Sequence, residues 1–320
     1  MDILQQSYRY GKSPLTPGAT ATPYCARLYG GAISQSLSPL LHSILFKSAG
    51  TSWSFHLAQT TSGAEFMSKL KATDSIGASI TMPNKVTFQA LLDDLTDEAR
   101  VIGAVNTAFI RLDNHGRRRY IGTNTDCVGI RETILQREPQ ARARAQGQPA
   151  MVVGGGGAAR SAIYALWKWF QPSEIYIANR LKSEVDAMAS YFQSAMPGIR
   201  LRHLETVESA TNLPSPYLIV GTVPDYPPSE PGEVLCWKIC EAILKDATKG
   251  VLVDMCYMPS PETNLILTAR GNGWQTISGR EVLVRVCTAQ QVLWTEKEPN
   301  EQGIKAALLA IEETSRDVKL

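Results

Sequence analysis

"AMVVGGGGAARSAIYALWKWF", residues 150–170, decides how the chain is read. A short apolar run breaks into four glycines and then into an amphipathic helix, and Gly154, Gly156, Gly157 and Ala159 stand in the GxGxxA spacing of a dinucleotide turn. Glycines there let the backbone approach a pyrophosphate and leave helix N-terminal amides aimed at it. A strand-to-helix reversal that needs only positive φ has the same look, but the strand before and the helix after favour the cofactor reading. Gly154, Gly156, Gly157 and Ala158 are the expected diphosphate-binding residues of a nicotinamide-dinucleotide site.

The next strand ends in "IYIANRLKSE" (175–184), which places Asn179 and Arg180 where an acid usually grips the ribose 2′-hydroxyl. A guanidinium there could stack on adenine or meet a 2′-phosphate, and Lys182 adds a second cation. Glu184 would repel a 2′-phosphate and accept from a free 2′-hydroxyl. NAD is therefore the expected cofactor, with NADP left open by Arg180 and Lys182. "YLIVGTV", which carries Thr222, and "VLVDMCY" continue the βα series.

Upstream, "ARLYGGAI", "PLLHSILFKSAG", "WSFHLAQT", "GAEFMSKLKA" and "IGASIT" read strand, helix, strand, helix, strand. "VNTAFIRL" and "RRRYIGTNTD" flank the turn "DNHG" as a hairpin, which adds antiparallel strands to this first sheet and ends it near Asp126. A helix over "VGIRETILQRE" and the polar stretch "PQARARAQGQPA" lead to the second series. The closing stretches "GREVLVRVCTAQQVLW" and "GIKAALLAIEETSR" are helical by period, and pattern alone does not assign them to either half.

With 320 residues, 44% apolar and 19% charged, the chain can build about two ordinary packed domains. A formal charge of +2 without a dominant basic block argues against a nucleic-acid or membrane partner. The six cysteines form no CxxC pairs and the four histidines are scattered, which points to reduced thiols, a cytoplasmic setting and no bound metal. Residues 1–24 lack the apolar core of a signal peptide and read as a flexible arm. Oligomeric state is not legible.

Three polar stretches at strand ends then fall together: "SLSPLLH" (36–42), "SITMPNK" (79–85) and "GAVNTAFI" with "GTNTD" (103–126). Ser38 is a good helix N-cap with Pro39 following, yet capping needs one serine and this segment has three, Ser34, Ser36 and Ser38. A lysine or aspartate at a strand end is more often merely solvated. Joined to the glycine turn and to "DMCY" (254–257), however, these motifs resemble the shikimate/quinate dehydrogenase family, closest to its fungal quinate dehydrogenase type, over residues 26–294.

That resemblance implies an α/β chain: an N-terminal mixed-sheet substrate domain, 25–127 with the returning helices of 280–320, and a Rossmann NAD(P)-binding domain, 128–279. It implies reversible oxidation of quinate, shikimate or both to the 3-dehydro acid. Lys85 and Asp126 match the family's catalytic pair, which handles the alcohol proton. Ser36 and Ser38 match the carboxylate-binding serines, while Thr81, Asn106 and Tyr257 match residues for ring hydroxyls or the carboxylate. Thr222 and Gly279 join Gly154, Gly156, Gly157, Ala158, Asn179, Arg180 and Lys182 on the cofactor side, Gly279 near the nicotinamide.

The chain departs from the family where a closing-helix glutamine usually reaches a substrate hydroxyl, because Val286 stands there. Gln290, one turn further along the same face, is the expected substitute. The competing readings are a ligand-sensing regulator without turnover on the same fold, and a dehydrogenase of a different hydroxy acid.

Overall fold

The computed structural model describes residues 2–246 and 248–317, with the side chains of 315–317 excepted. Met1 of the expected arm and residues 318–320 of the expected first domain lie outside the described residues, as does Ala247. In chain order the elements are α1 (Asp2–Ser7), β1 (Cys25–Gly30), α2 (Ser38–Ser48), β2 (Ser54–Gln59), α3 (Gly63–Leu70), β3 (Ser75–Ile80), β4 (Asp94–Leu95), α4 (Asp97–Ile102), β5 (Thr107–Leu112) and β6 (Arg118–Thr123). There follow α5 (Asp126–Arg137), α6 (Ala141–Ala145), β7 (Ala150–Val153), α7 (Gly157–Phe170), β8 (Ile175–Ala178), α8 (Lys182–Ala195), β9 (Leu201–His203), α9 (Val207–Thr211) and β10 (Leu218–Gly221). The series closes with α10 (Pro231–Leu244), β11 (Val251–Asp254), α11 (Asn264–Gly271), β12 (Gln275–Ser278), α12 (Gly279–Thr295) and α13 (Glu301–Asp317). They divide into two compact units, Met1–Thr125 with Leu283–Leu320, and Asp126–Val282.

The first unit holds a mixed sheet in the order β2-β1-β3-β5-β6-β4. β1 pairs in parallel with β2 and β3, and β5 runs antiparallel to both β3 and β6. Every residue of β3 is buried, as a central strand covered on both faces requires. The β5–β6 hairpin turns on Asp113, whose Oδ1 accepts from the amides of His115 (2.8 Å) and Arg117 (2.9 Å). α12 and α13 complete this unit: Trp294 Nε1 donates to Ala108 O at 3.0 Å, and Val284, Cys287, Ile304, Ala307 and Ile311 pack on Leu41 and Leu45 of α2. The helix α4 and the two-residue strand β4 have no sequence period long enough to be read. α4 is set by Thr96, which accepts from Ala99 N (3.3 Å), and by Gly103 at φ 69°.

The stretch read as a flexible arm is packed against this unit. Lys12 and Leu112 exchange backbone hydrogen bonds of 2.9 and 2.8 Å. The guanidinium of Arg111, 1% exposed, donates to Ser7 Oγ, pairs with Glu296 at 3.1 Å and lies against the rings of Tyr8 and Phe109. Tyr8 Oη in turn donates to Glu296 Oε2 at 2.8 Å. The reason is the buried arginine: a charge in the core of β5 needs a carboxylate and hydroxyls, and the first residues supply part of that shell.

The second unit is an all-parallel sheet in the order β12-β11-β10-β7-β8-β9, with β7, β8, β10 and β11 buried throughout. Strand order reverses between β7 and β10, the topological switch point of a doubly wound sheet. The polar stretch before β7 contains the short α6, whose Ala141 and Ala145 are buried, so two alanines at i and i+4 make a helix face out of what reads as a loop.

Because Glu296 is the carboxylate of a buried pair, Glu296→Ala should lower unfolding stability by about 3 kcal/mol, the usual cost of leaving a buried charge without its partner. Urea unfolding of the variant against the parent chain measures this.

Candidate active site and dinucleotide turn

In the first unit β1, β3 and β6 point the same way and β5 the opposite way, so the residues after β1, β3 and β6 and those before β5 meet at one sheet end. Thr81 N donates to Tyr29 O (2.9 Å), Ile80 N to Asn106 O (2.7 Å) and Asn106 N to Thr123 O (3.1 Å). The turn carrying Lys85 is tied to the same end by Val105 N to Lys85 O at 2.8 Å and by Asn84 Nδ2 to Thr60 O at 2.9 Å. This topology gathers Ser36, Ser38, Thr81, Lys85 and Asn106. Asp126 follows Thr125 directly, is buried, and is the first residue of the second unit and of α5.

Ser38 does not cap α2. It is the first helical residue, Leu37 occupies the cap position, and no side chain there bonds the first-turn amides. The cause is Ser36, whose Oγ takes the Ser38 amide (3.2 Å) and turns the chain two residues earlier. The Ser36 and Ser38 hydroxyls converge to 3.1 Å, Ser38 buried and Ser36 half-buried, while Ser34 is exposed. Two adjacent hydroxyls beside a helix N-terminus are chemically able to accept a carboxylate as partner.

Gln290 corrects the expectation that it substitutes for the missing family glutamine. It is 1% exposed and its amide is committed inside the unit: Nε2 donates to Ser79 Oγ (3.0 Å) and Thr107 Oγ1 (2.9 Å), and Oε1 meets His42 Nε2 at 3.0 Å. Since the amide nitrogen gives both protons to hydroxyls, Oε1 must accept, so His42 carries its proton on Nε2. Thr107 Oγ1 passes the connection to Asn106 Oδ1 (2.9 Å), which also accepts Thr125 N (2.7 Å) and Thr125 Oγ1 (3.1 Å). Holding that oxygen fixes the orientation of the Asn106 amide and turns its NH2, a donor, to the other side. Val286 is a buried apolar side chain of α12.

His42, Ser79, Thr107 and Thr125 carry no sequence signal of this kind. The trace that exists is His42 at i+4 from Ser38 in an apolar run, ordinarily a satisfied core histidine. Here it stacks on Phe55, with centroids 4.2 Å apart, and burial pushes its pKa down to about 3. The unfolded chain protonates this ring near pH 6.5 and the folded one does not, so the stability it contributes is complete above pH 6.5 and is lost as pH falls towards 3. Relative to a His42→Asn variant, the parent chain should lose up to about 1.4 kcal/mol per pH unit over that window, measured by denaturant midpoints at pH 7, 6, 5 and 4.

In the second unit the glycine turn leads from β7 into α7. Gly154 has φ 120°, and a Cβ on it would stand 2.4 Å from Thr222 Oγ1, which itself donates to Val153 O at 2.7 Å. Thr222 thus braces the turn across the switch point. Gly156 occupies the cap position of α7 without any side-chain cap, and a Cβ there would meet nothing within 4 Å. Backbone amides backed by open space suit the pyrophosphate of a dinucleotide. Ala158 lies in the first turn of α7.

Asn179, at the end of β8, donates to Glu184 Oε2 (2.8 Å) and Leu181 O (3.1 Å). That bond brings the Glu184 carboxylate beside the turn, 3.0 Å from where a Gly155 Cβ would be. Arg180 pairs with Glu233 at 2.6 Å, and Lys182 with Asp186 (3.1 Å) and Glu205 (3.4 Å). Tyr257 follows β11 half-buried, and Gly279 opens α12 with the Met255 carbonyl filling the place of a Cβ. Beside them Asp254 is buried, accepts from Thr263 Oγ1 at 2.6 Å, and has its pKa raised to about 6 by burial.

A profile described as the shikimate dehydrogenase substrate binding domain matches residues 28–108. A quinate dehydrogenase of Emericella nidulans is 37% identical over 289 residues, 85% of this chain and 88% of that protein. Among solved structures, a dehydroquinate dehydratase and shikimate dehydrogenase from S. pombe superposes with a TM-score of 0.72 at 28% identity, covering 89% of this chain and 53% of that longer one. A shikimate 5-dehydrogenase from Thermus thermophilus, in complex with NADP(H) and shikimate, gives 0.69 at 26% identity over 89% of this chain and 98% of that one. Identity at this level across most of both sequences is a family relationship, and the chain belongs to the shikimate/quinate dehydrogenase family.

Proposed function

We propose that the chain is an NAD(P)-dependent oxidoreductase that interconverts quinate, shikimate or both with the corresponding 3-dehydro acid. The observation that carries this reading is the convergence of Ser36, Ser38, Thr81, Lys85 and Asn106 on one sheet end, in a chain that also has a braced glycine turn at a switch point. The kinship with a quinate dehydrogenase supplies the substrate class.

Ser36 and Ser38 seat the carboxylate, with Tyr257 as a further donor, and Thr81 and the Asn106 amide take ring hydroxyls. Lys85 stands at the reacting hydroxyl and, with Asp126, holds and moves its proton. The two groups need opposed roles at one oxygen, a donor and an acceptor, and an ammonium with a carboxylate supplies them. Gly154, Gly156, Gly157, Ala158 and Thr222 would hold the dinucleotide's pyrophosphate, Glu184, Asn179, Arg180 and Lys182 its adenosine end, and Gly279 the nicotinamide side. The dinucleotide supplies the hydride acceptor or donor.

With Gln290 committed to the interior and Val286 apolar, neither offers an amide to the ring. We expect the preferred acid to be the one that keeps its affinity without that contact. Glu184 beside the turn favours a free ribose 2′-hydroxyl and hence NAD. We place the protein in the cytoplasm, where reduced cysteines persist, four of its six being buried; among the described residues no helix is long and apolar enough to cross a membrane.

NAD(P)H absorbance with quinate and shikimate, each against NAD and NADP, tests the assignment: turnover is expected in at least one pairing, and silence in all four refutes it. Lys85→Ala should lower kcat by about a hundredfold or more while dinucleotide affinity stays unchanged. Ser38→Ala should raise KM for the acid about tenfold, the scale of losing a hydrogen bond to a charged group, and an unchanged KM would remove Ser38 from the carboxylate seat.

A further inference from the structure

Arg180 is the cation that the strand end offers to a dinucleotide, yet its guanidinium is already paired through one nitrogen. Nη1 donates to Glu233 Oε1 at 2.6 Å, from a residue 53 positions away on α10. The other oxygen of the same carboxylate, Oε2, accepts Ser229 N (3.0 Å), Glu230 N (3.2 Å) and Ser229 Oγ (3.3 Å). Glu233 is thus anchored by the start of its own helix and presents one oxygen outward in a fixed place. These amide bonds also hold its carboxyl below the usual carboxylate range, which keeps it ionised.

A second, independent contact presses the two segments together. A Cβ on Gly232 would stand 3.0 Å from both Arg180 Cβ and Arg180 O, so the first turn of α10 lies directly against Arg180 and a side chain at residue 232 would push the two segments a few tenths of an ångström apart. Around this edge three carboxylates, Asp186, Glu205 and Glu233, pair with two cations, Arg180 and Lys182, and a fourth, Glu184, is held by Asn179. A 2′-phosphate arriving there would compete with Glu233 for the charge of Arg180, whereas a 2′-hydroxyl would not.

We propose that Glu233 is a positioning residue for dinucleotide selectivity: by holding and neutralising Arg180 it withdraws the one strand-end guanidinium that could pair with a 2′-phosphate, and so biases the site towards NAD. This rests on the dinucleotide reading above and adds the residue through which discrimination acts.

The test is equilibrium titration of the full-length chain with NAD and with NADP, following tryptophan fluorescence, for wild type, Glu233→Gln, Arg180→Gln and the double variant. A glutamine in place of Glu233 keeps an acceptor for the helix-start amides while removing the charge, so the fold is retained. Glu233→Gln should tighten NADP about tenfold and change NAD less than about twofold, and about 0.5 M salt should erase the gain. Removing Arg180 should cost NADP about tenfold in the Glu233→Gln background and far less when Glu233 is present.

An unchanged NADP-to-NAD ratio in Glu233→Gln, or a gain that survives loss of Arg180, overturns the proposal. So does an equal NADP loss on removing Arg180 in both backgrounds, and a tenfold NADP loss in Arg180→Gln alone does so even if Glu233→Gln does not fold. A wild-type chain that binds neither dinucleotide overturns the proposed function and this inference together, while NAD binding without the predicted gain overturns the inference alone.

Discussion

A primary amide sealed from water has two protons and one oxygen to satisfy, and Gln290 satisfies all three inside the first unit. Doing so joins α12 to α2 through His42, to β3 through Ser79 and to β5 through Thr107. These are the elements that carry the serine pair, the Thr81–Lys85 turn and Asn106. The proposed substrate side therefore inherits its geometry from a polar core, where a misplaced strand would leave a buried donor or acceptor unpaired at a cost of about 1–3 kcal/mol. A helix that begins at the end of the second unit ties together strands that precede that unit.

The second unit applies the same economy to its backbone. Thr222 braces Gly154 from the neighbouring strand, Asn179 draws Glu184 to the edge of the turn, and Glu233 closes over Arg180. Each of these side chains aligns another group rather than presenting itself. An acid is absent from the strand end, but α8 delivers a carboxylate to the same neighbourhood from its first turn.

The α/β alternation, the hairpin at Asp113 and the glycine turn are legible in the sequence because each rests on local periodicity or on a turn residue with a local cause. Ser36 and Ser38 are legible as an excess over what capping requires, although which of them shapes the turn is not: that depends on the Ser36 hydroxyl reaching the Ser38 amide. Gln290 misleads because the face of a helix is visible in sequence and the depth of that face is not. The first residues look mobile by composition, and they are packed because Arg111, buried in β5, needs partners that no local pattern announces. Glu233 is invisible for the same reason, being 53 residues from the arginine it holds.

The first unit is assembled from two stretches, Met1–Thr125 and Leu283–Leu320, on either side of a second unit that is continuous in sequence. Synthesis from the N-terminus consequently completes the inner unit before the outer one. A nascent chain released as far as Val282 has every strand of the second sheet, while the first sheet still lacks Gln290 for its polar core and Trp294 for the Ala108 carbonyl. Order of translation thus lets the second unit be complete in sequence first, and leaves the first unit dependent on the codons that follow Val282.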